Sequence, residues 1–201
     1  MFALVESGSI IKMLNGNKGI TIDGVQHPRA IYTLWTEAER NAIGIYTVEY
    51  DNSNKKDEKW YINTNQSYAF GSGKVTATYG TATAKAHADT LYTAQDETDG
   101  LGTEGELKSR GLKYKLIQDV KLEAANELAK TDWYVVRKSE ESTAIPSAIT
   151  THRRLVRTKA AAMETSITNA SDTPALETLY TYTTDSDGVH SRPLAEIPTL
   201  D

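Results

Sequence analysis

Residues 131–157, TDWYVVRKSEESTAIPSAITTHRRLVR, join two stretches whose apolar residues recur at helical spacing. The stripe before this segment consists of Leu112, Leu116, Val120, Ala124 and Leu128. It predicts an amphipathic helix over residues 106 to about 130. Within the segment, Trp133–Val136 is a β-prone run and predicts a short extended stretch.

A second long helix is predicted after the segment, because Pro146 suits the first helical turn. The apolar residues that share one face of this helix are Ile149, Val156, Ala160, Met163 and Ile167. Two long helices with a short connection are expected to pack antiparallel. Asp172-Thr173-Pro174 then predicts an N-cap and the start of a short third helix. The α-helical domain is therefore predicted over residues 106–182, followed by an extended C-terminal arm at 183–201.

The front of the chain has short β-rich runs separated by turn residues. Phe2–Val5 and Ser9–Leu14 flank one turn, and Asp23-Gly24 lies between two further runs. The glycines of GSGK at 71–74 suit a tight turn, so 67–70 and 75–79 are predicted to form another hairpin. One short helix is predicted after Thr36, because Glu39 completes a capping box with it. These patterns predict a β-rich domain over residues 1–85.

The fold class predicted from these patterns is α+β. A β-rich N-terminal region of short antiparallel strands with one short helix precedes an antiparallel helical hairpin and a short third helix. Residues 86–105 are rich in Gly, Asp, Glu and Thr and have few apolar residues. They predict an acidic, glycine-containing linker between the two domains.

Composition excludes several classes of function. The 201 residues carry a formal net charge of −5 and no cysteine. An acidic chain is not expected to bind nucleic acid through an overall positive field. Thiol chemistry and cysteine-ligated metals are impossible. No apolar run approaches the roughly 20 residues that cross a bilayer, so the chain is expected to be soluble and not inserted in a membrane.

The sequence has no recognisable catalytic motif. The four histidines, His27, His87, His152 and His190, have no motif partner nearby. DETDG at 96–100 resembles an acidic calcium loop, but the bidentate glutamate that such a loop needs is absent. We therefore predict no catalytic residue, no metal and no cofactor, and a chain that is not an enzyme. A glycan-acting hydrolase is a less favoured alternative that would need a pair of carboxylates.

A basic face around the quoted segment is the candidate partner-binding site. Its predicted residues are Trp133, Arg137, Lys138, Arg153, Arg154 and Arg157. The cations suit a carboxylate-rich partner or a phosphate. The competing interpretation is a solvated face whose arginines pair with Glu140, Glu141 and Glu164. Trp133 has the same two interpretations, as an interface anchor or, preferably, as a plug in the helical core.

The arrangement of Asp132-Trp133, Pro146, Arg153 and Arg157 resembles the C-terminal signature of tailed-bacteriophage tail assembly chaperones and tail-fibre assembly proteins. His152 stands where a tyrosine is usual in that signature. The stretch LWTEAERNAIGIYTVE in the front half is similar to parts of phage virion or tail proteins.

The resemblance implies a non-enzymatic assembly chaperone that binds a tail or tail-fibre subunit in the host cytoplasm. The alternative is a structural component that stays in the virion tail. Homo-oligomer formation remains open under either interpretation.

Overall fold

The computed structural model describes residues 1–64 and 66–200 and has an α+β fold, with strands first and helices after them. The chain divides into two compact units, Met1–Thr83 and Ala84–Asp201. The domain end that the sequence predicts, at residue 85, lies beside this division. None of the helices in the described part of the chain combines the length and apolar character needed to cross a membrane.

The first unit contains one five-stranded sheet with the strand order β2-β1-β5-β8-β7. Its strands are β1 (Phe2–Glu6), β2 (Ser9–Leu14), β5 (Ile45–Asp51), β7 (Ser67–Gly71) and β8 (Lys74–Thr78). The short strands outside this sheet are β3 (Ile20–Ile22), β4 (Val25–His27), β6 (Tyr61–Ile62) and β9 (Thr83–Ala84). The predicted hairpins β1–β2, β3–β4 and β7–β8 are confirmed as antiparallel pairs.

One pair differs from the antiparallel pattern that the sequence predicts. Strands β5 and β8 run parallel, with Val48 opposite Val75. Between β5 and β8 the chain forms β6 and β7, so the two parallel strands are joined by a long connection that ends in the β7–β8 hairpin.

Strand β1 is buried on both faces because its side chains alternate between two apolar clusters. The first cluster contains Ala3, Val5, Val48, Val75 and Ala77. The second contains Leu4, Leu14, Ile31, Tyr32 and Ile45. Helix α1 (Ile31–Leu34) supplies two members of the second cluster and was not predicted.

The predicted capping box is confirmed at α2 (Glu37–Ala42). The Thr36 side chain accepts a hydrogen bond from the Glu39 amide, and the Glu39 carboxylate accepts one from the Thr36 amide at 2.7 Å. Gly44 ends this segment with φ +77°, and a Cβ there would lie 2.6 Å from the Val5 carbonyl oxygen. The close approach explains why only glycine suits this position.

Residues 86–105 are folded and do not form an unstructured linker. Strand β10 (Thr90–Leu91) pairs with β11 (Leu107–Ser109), and α3 (Ala94–Thr98) lies between them. Thr93 and Asp96 form a second capping box that starts α3. The acidic residues that suggested a solvated linker therefore include one that caps a helix.

The second unit is built on the predicted antiparallel pair of long helices, α4 (Leu112–Ala129) and α6 (Ser147–Asn169). The Lys113 ammonium near the start of α4 donates to the Thr168 carbonyl near the end of α6 at 2.9 Å. The prediction that the first helix starts at 106 is wrong, because β11 and Gly111 precede Leu112.

A ten-residue helix, α5 (Asp132–Glu141), occupies the connection between α4 and α6. The predicted extended run Trp133–Val136 is wrong, since these residues form its first turns. The third predicted helix is confirmed as α7 (Thr173–Tyr180), and the Asp172 side chain accepts from the Ala175 amide at 2.8 Å.

The predicted C-terminal arm packs against the helices of the second unit, to which it belongs. It forms a small hairpin of β12 (Thr183–Thr184) and β13 (His190–Ser191). Leu194 and Ile197 beyond this hairpin are buried. The Leu194 amide donates to the Leu179 carbonyl at 3.0 Å, which ties the arm to α7.

Candidate partner-binding surface

Arg153 holds the corner between α4 and α5. Its Nη1 donates to the Leu128 carbonyl at 2.8 Å and to the Thr131 hydroxyl at 2.7 Å, and its Nη2 lies 2.9 Å from the Asp132 carboxylate. Arg153 is only 8% exposed, and Thr131 is completely buried. A planar guanidinium can bind several acceptors at once in this way. We therefore assign Arg153 a structural role at the corner and leave it out of the candidate surface.

His152 and Glu127 form a second buried polar contact between α4 and α6. The Glu127 carboxylate lies 3.1 Å from His152 Nε2 and also accepts from the Leu200 amide at 2.8 Å and the Lys130 ammonium at 2.5 Å. The Lys130 hydrogen bond is the largest cause that lowers the pKa of Glu127, and burial opposes it. His152 thus contacts α4 directly and is linked through Glu127 to the C-terminal arm.

Helix α5 exposes most of its apolar side chains. No α5 residue is buried, and Trp133 and Val136 are 51% and 52% exposed. The prediction that Trp133 fills the helical core is wrong. The Arg137 guanidinium lies 4.7 Å from the centre of the Trp133 ring, and its Nε is buried without an acceptor among the described residues. We call Trp133, Val136 and Arg137 the α5 face, since their i, i+3 and i+4 spacing places them side by side.

Arg154 and Arg157 are exposed on α6, and Lys138 is exposed on α5. In the described chain no carboxylate lies within ion-pair distance of these three cations. The competing interpretation required pairs with Glu140, Glu141 and Glu164, but the ion pair that Glu164 makes is with Lys121 at 3.6 Å. Lys138, Arg154 and Arg157 are therefore not neutralised by any carboxylate among the described residues.

Other polar groups have structural partners that explain them. Asp96 in the calcium-like stretch caps α3 and pairs with Lys108 at 2.6 Å. The His190 ring contacts the Thr184 hydroxyl at 2.9 Å within the arm hairpin. Within residues 1–64 and 66–200, no group of three or more His, Asp or Glu side chains is placed to hold a metal ion.

The contact between Glu127 and His152 was not predicted from the sequence, although the sequence contains a signal for it. Glu127 lies seven residues after Val120 and three after Ala124, so it falls on the buried stripe of α4. A charged residue on such a stripe needs a buried partner. The histidine on the facing helix supplies it.

Comparisons with protein-family models, with curated proteins and with solved structures gave no match to this chain. The candidate surface therefore rests on the geometry of α5 and α6 described above.

Proposed function

We propose that the chain is a non-enzymatic assembly protein that binds a tail or tail-fibre subunit of a tailed bacteriophage in the host cytoplasm. The signature formed by Asp132-Trp133, Pro146, Arg153 and Arg157 supports this proposal through its resemblance to tail assembly chaperones. Two residues of the signature, Asp132 and Arg153, are in contact. Together with the hydrogen bond from Arg153 to Thr131, this contact fixes the direction in which α5 leaves α4.

The observation that carries the proposal is the exposure of α5. The helix has ten residues and buries none of them. Isolated helices of this length are marginal in water, and most helices gain their stability from packing an apolar face. A partner that covers Trp133 and Val136 would supply that packing.

The composition of the α5 face suits a protein partner. Trp and Arg are enriched among the residues that dominate binding energy at interfaces. Arg137 stacks on the rings of Trp133 and Tyr134, which limits the rotamers of the arginine before a partner arrives. Preorganisation of this kind lowers the entropy lost on binding.

The binding test uses purified tail and tail-fibre subunits from the phage that encodes this chain. Truncating Trp133 to Ala should weaken binding of the cognate subunit about 30-fold or more, as for a typical hot spot of about 2 kcal/mol. The control is Leu122→Ala on α4, since Leu122 is 61% exposed but lies outside the α5 face. Equal loss in both variants, or no binding by the unmodified chain, would contradict the proposal.

A second measurement separates a transient chaperone from a retained subunit. Quantitative mass spectrometry would compare purified particles with the lysate of infected cells. Abundance in the lysate and absence from particles is the expected result for a chaperone. A fixed ratio to known tail subunits in the particle would instead make the chain a structural component of the virion.

A further inference from the structure

We propose that Arg154 and Arg157, here called the α6 strip, bind an acidic segment of the partner protein. The two arginines are exposed and one helical turn apart on α6. This inference rests on the proposed function, because it gives the chemistry of the partner that α5 would contact.

The α6 strip has no carboxylate that its own helix could supply. Residues three and four positions away from each arginine are threonine, alanine or arginine. The only acidic residue of α6 is Glu164, which pairs with Lys121. Among the described residues, the Arg157 guanidinium makes one long hydrogen bond, 3.4 Å, to the Arg153 carbonyl.

Most cations elsewhere in the second unit have a carboxylate partner. Cations with a carboxylate partner are Lys108, Arg110, Lys115, Lys121, Lys130, Arg153 and Arg192. By contrast, Lys138, Arg154, Arg157 and Lys159 have none among the described residues, and Lys113 donates to the Thr168 carbonyl instead. Arg137 also has no carboxylate partner there, and its buried Nε has no acceptor. Apart from Lys113, these cations lie within residues 137–159, on α5 and α6.

Geometry favours carboxylates as the occupants. Side chains at i and i+3 on a helix have Cβ atoms about 5–6 Å apart. Two carboxylates on one helical turn, or on alternate residues of a strand, have a similar spacing, so each could form a bidentate pair with one arginine. The small neighbours Thr150 and Ala161 leave both guanidinium groups accessible.

Charge favours an acidic protein over a nucleic acid. The chain has a formal net charge of −5, and Glu140 and Glu141 follow Lys138 on α5. A long polyphosphate chain extends beyond two arginines and would be repelled by the net negative charge of the rest of the chain. A protein segment can place a few carboxylates on the α6 strip alone.

The experiment measures binding of a fluorescent peptide of alternating glutamate and leucine by anisotropy. The test variant is Arg154→Glu with Arg157→Glu, and the control is Lys12→Glu with Lys18→Glu. The control makes the same change in net charge at exposed lysines of the first unit. Each reversal replaces an exposed attraction by a repulsion, so the test variant should bind the peptide about tenfold more weakly and the control should bind as before.

A neutral pair, Arg154→Gln with Arg157→Gln, is measured in parallel, and circular dichroism confirms that each variant is folded. We expect the neutral pair to fall between the unmodified chain and the reversal. Equal peptide affinity in the test variant and the control would overturn the inference. Tighter binding of oligothymidylate of equal charge would overturn it as well.

The same variants separate this inference from the proposed function. If the tail-fibre subunit binds the Arg154→Glu, Arg157→Glu variant as tightly as the unmodified chain, the α6 strip is not the contact and the proposed function stands. If the peptide binds through the strip but no tail or tail-fibre subunit binds the chain, the strip stands and the proposed function fails.

Discussion

Replacing Arg153 by alanine should destabilise the second unit, because the Arg153 guanidinium donates hydrogen bonds at the corner between α4 and α5. The change removes the hydrogen bonds that Arg153 donates to the fully buried Thr131 hydroxyl and to the Leu128 carbonyl. A buried polar group left without a partner costs about 1–3 kcal/mol. The Thr131 hydroxyl still donates to the Leu128 carbonyl at 3.0 Å, so each group keeps one partner and its cost lies at the low end of the range. The exposed pair with Asp132 adds at most about 1 kcal/mol.

The expected loss from these contributions is about 2–3 kcal/mol in the free energy of unfolding. For a unit of this size that corresponds to a fall of roughly 8–12 °C in the midpoint of thermal unfolding. Circular dichroism at 222 nm is the suitable assay, because the long helices α4 and α6 both belong to the second unit.

The next residue provides a matched control. Arg154 is also an arginine of α6, but it is exposed and has no carboxylate partner in the described chain. Arg154→Ala should change the free energy of unfolding by no more than about 0.5 kcal/mol. Arg153→Lys keeps the charge but loses the planar fork, so its stability should lie between those of the unmodified chain and Arg153→Ala. Equal unfolding midpoints for Arg153→Ala and Arg154→Ala would refute the reasoning.

Three further perturbations test other parts of the fold. Gly44→Ala should destabilise the first unit by about 1–3 kcal/mol in urea unfolding, since φ is +77° and the new Cβ would meet a β1 carbonyl at 2.6 Å. The pKa of Asp96 is lowered from 3.8 to about 2, first by the Lys108 ammonium; the stability it contributes should be present above pH 3.8 and lost as pH falls toward 2. NMR titration should show the pKa of Asp96 rising in Lys108→Met, and an unchanged value would disprove the contact. Leu116→Asp should unfold the second unit by circular dichroism, whereas Leu122→Asp should not, because Leu116 is 4% and Leu122 is 61% exposed.

Features with a local cause could be predicted from the sequence. The Thr36 capping box needs only residues three apart, and the hairpin turn before Lys74 needs only its adjacent turn residues. The buried faces of α4 and α6 follow from a 3.6-residue period that is visible in the sequence. Each of these elements contains most of the interactions that specify it.

Features that depend on distant residues could not be predicted in the same way. The parallel pair β5–β8 depends on a long connection, which no local pattern specifies. Helix α5 contradicts the β propensity of Trp133–Val136 because tertiary anchoring outweighs propensity. The Arg153 guanidinium fixes Thr131 and Asp132 where α5 begins, and the Asp132 carboxylate lies in the first turn, where the helix dipole favours a negative charge.

The helical period of α6 is enough to separate the structural arginine, Arg153, from the exposed arginine, Arg154. Arg153 lies four residues after Ile149 and three before Val156, so the helical period places it on the apolar stripe of α6. Arg154 is about 100° further round the helix, where solvent replaces α4. A cation on the stripe must find buried acceptors, whereas a cation off the stripe is available to a partner. The two adjacent arginines therefore have different roles, since Arg153 fixes the corner from which α5 projects and Arg154 belongs to the surface proposed to receive the partner.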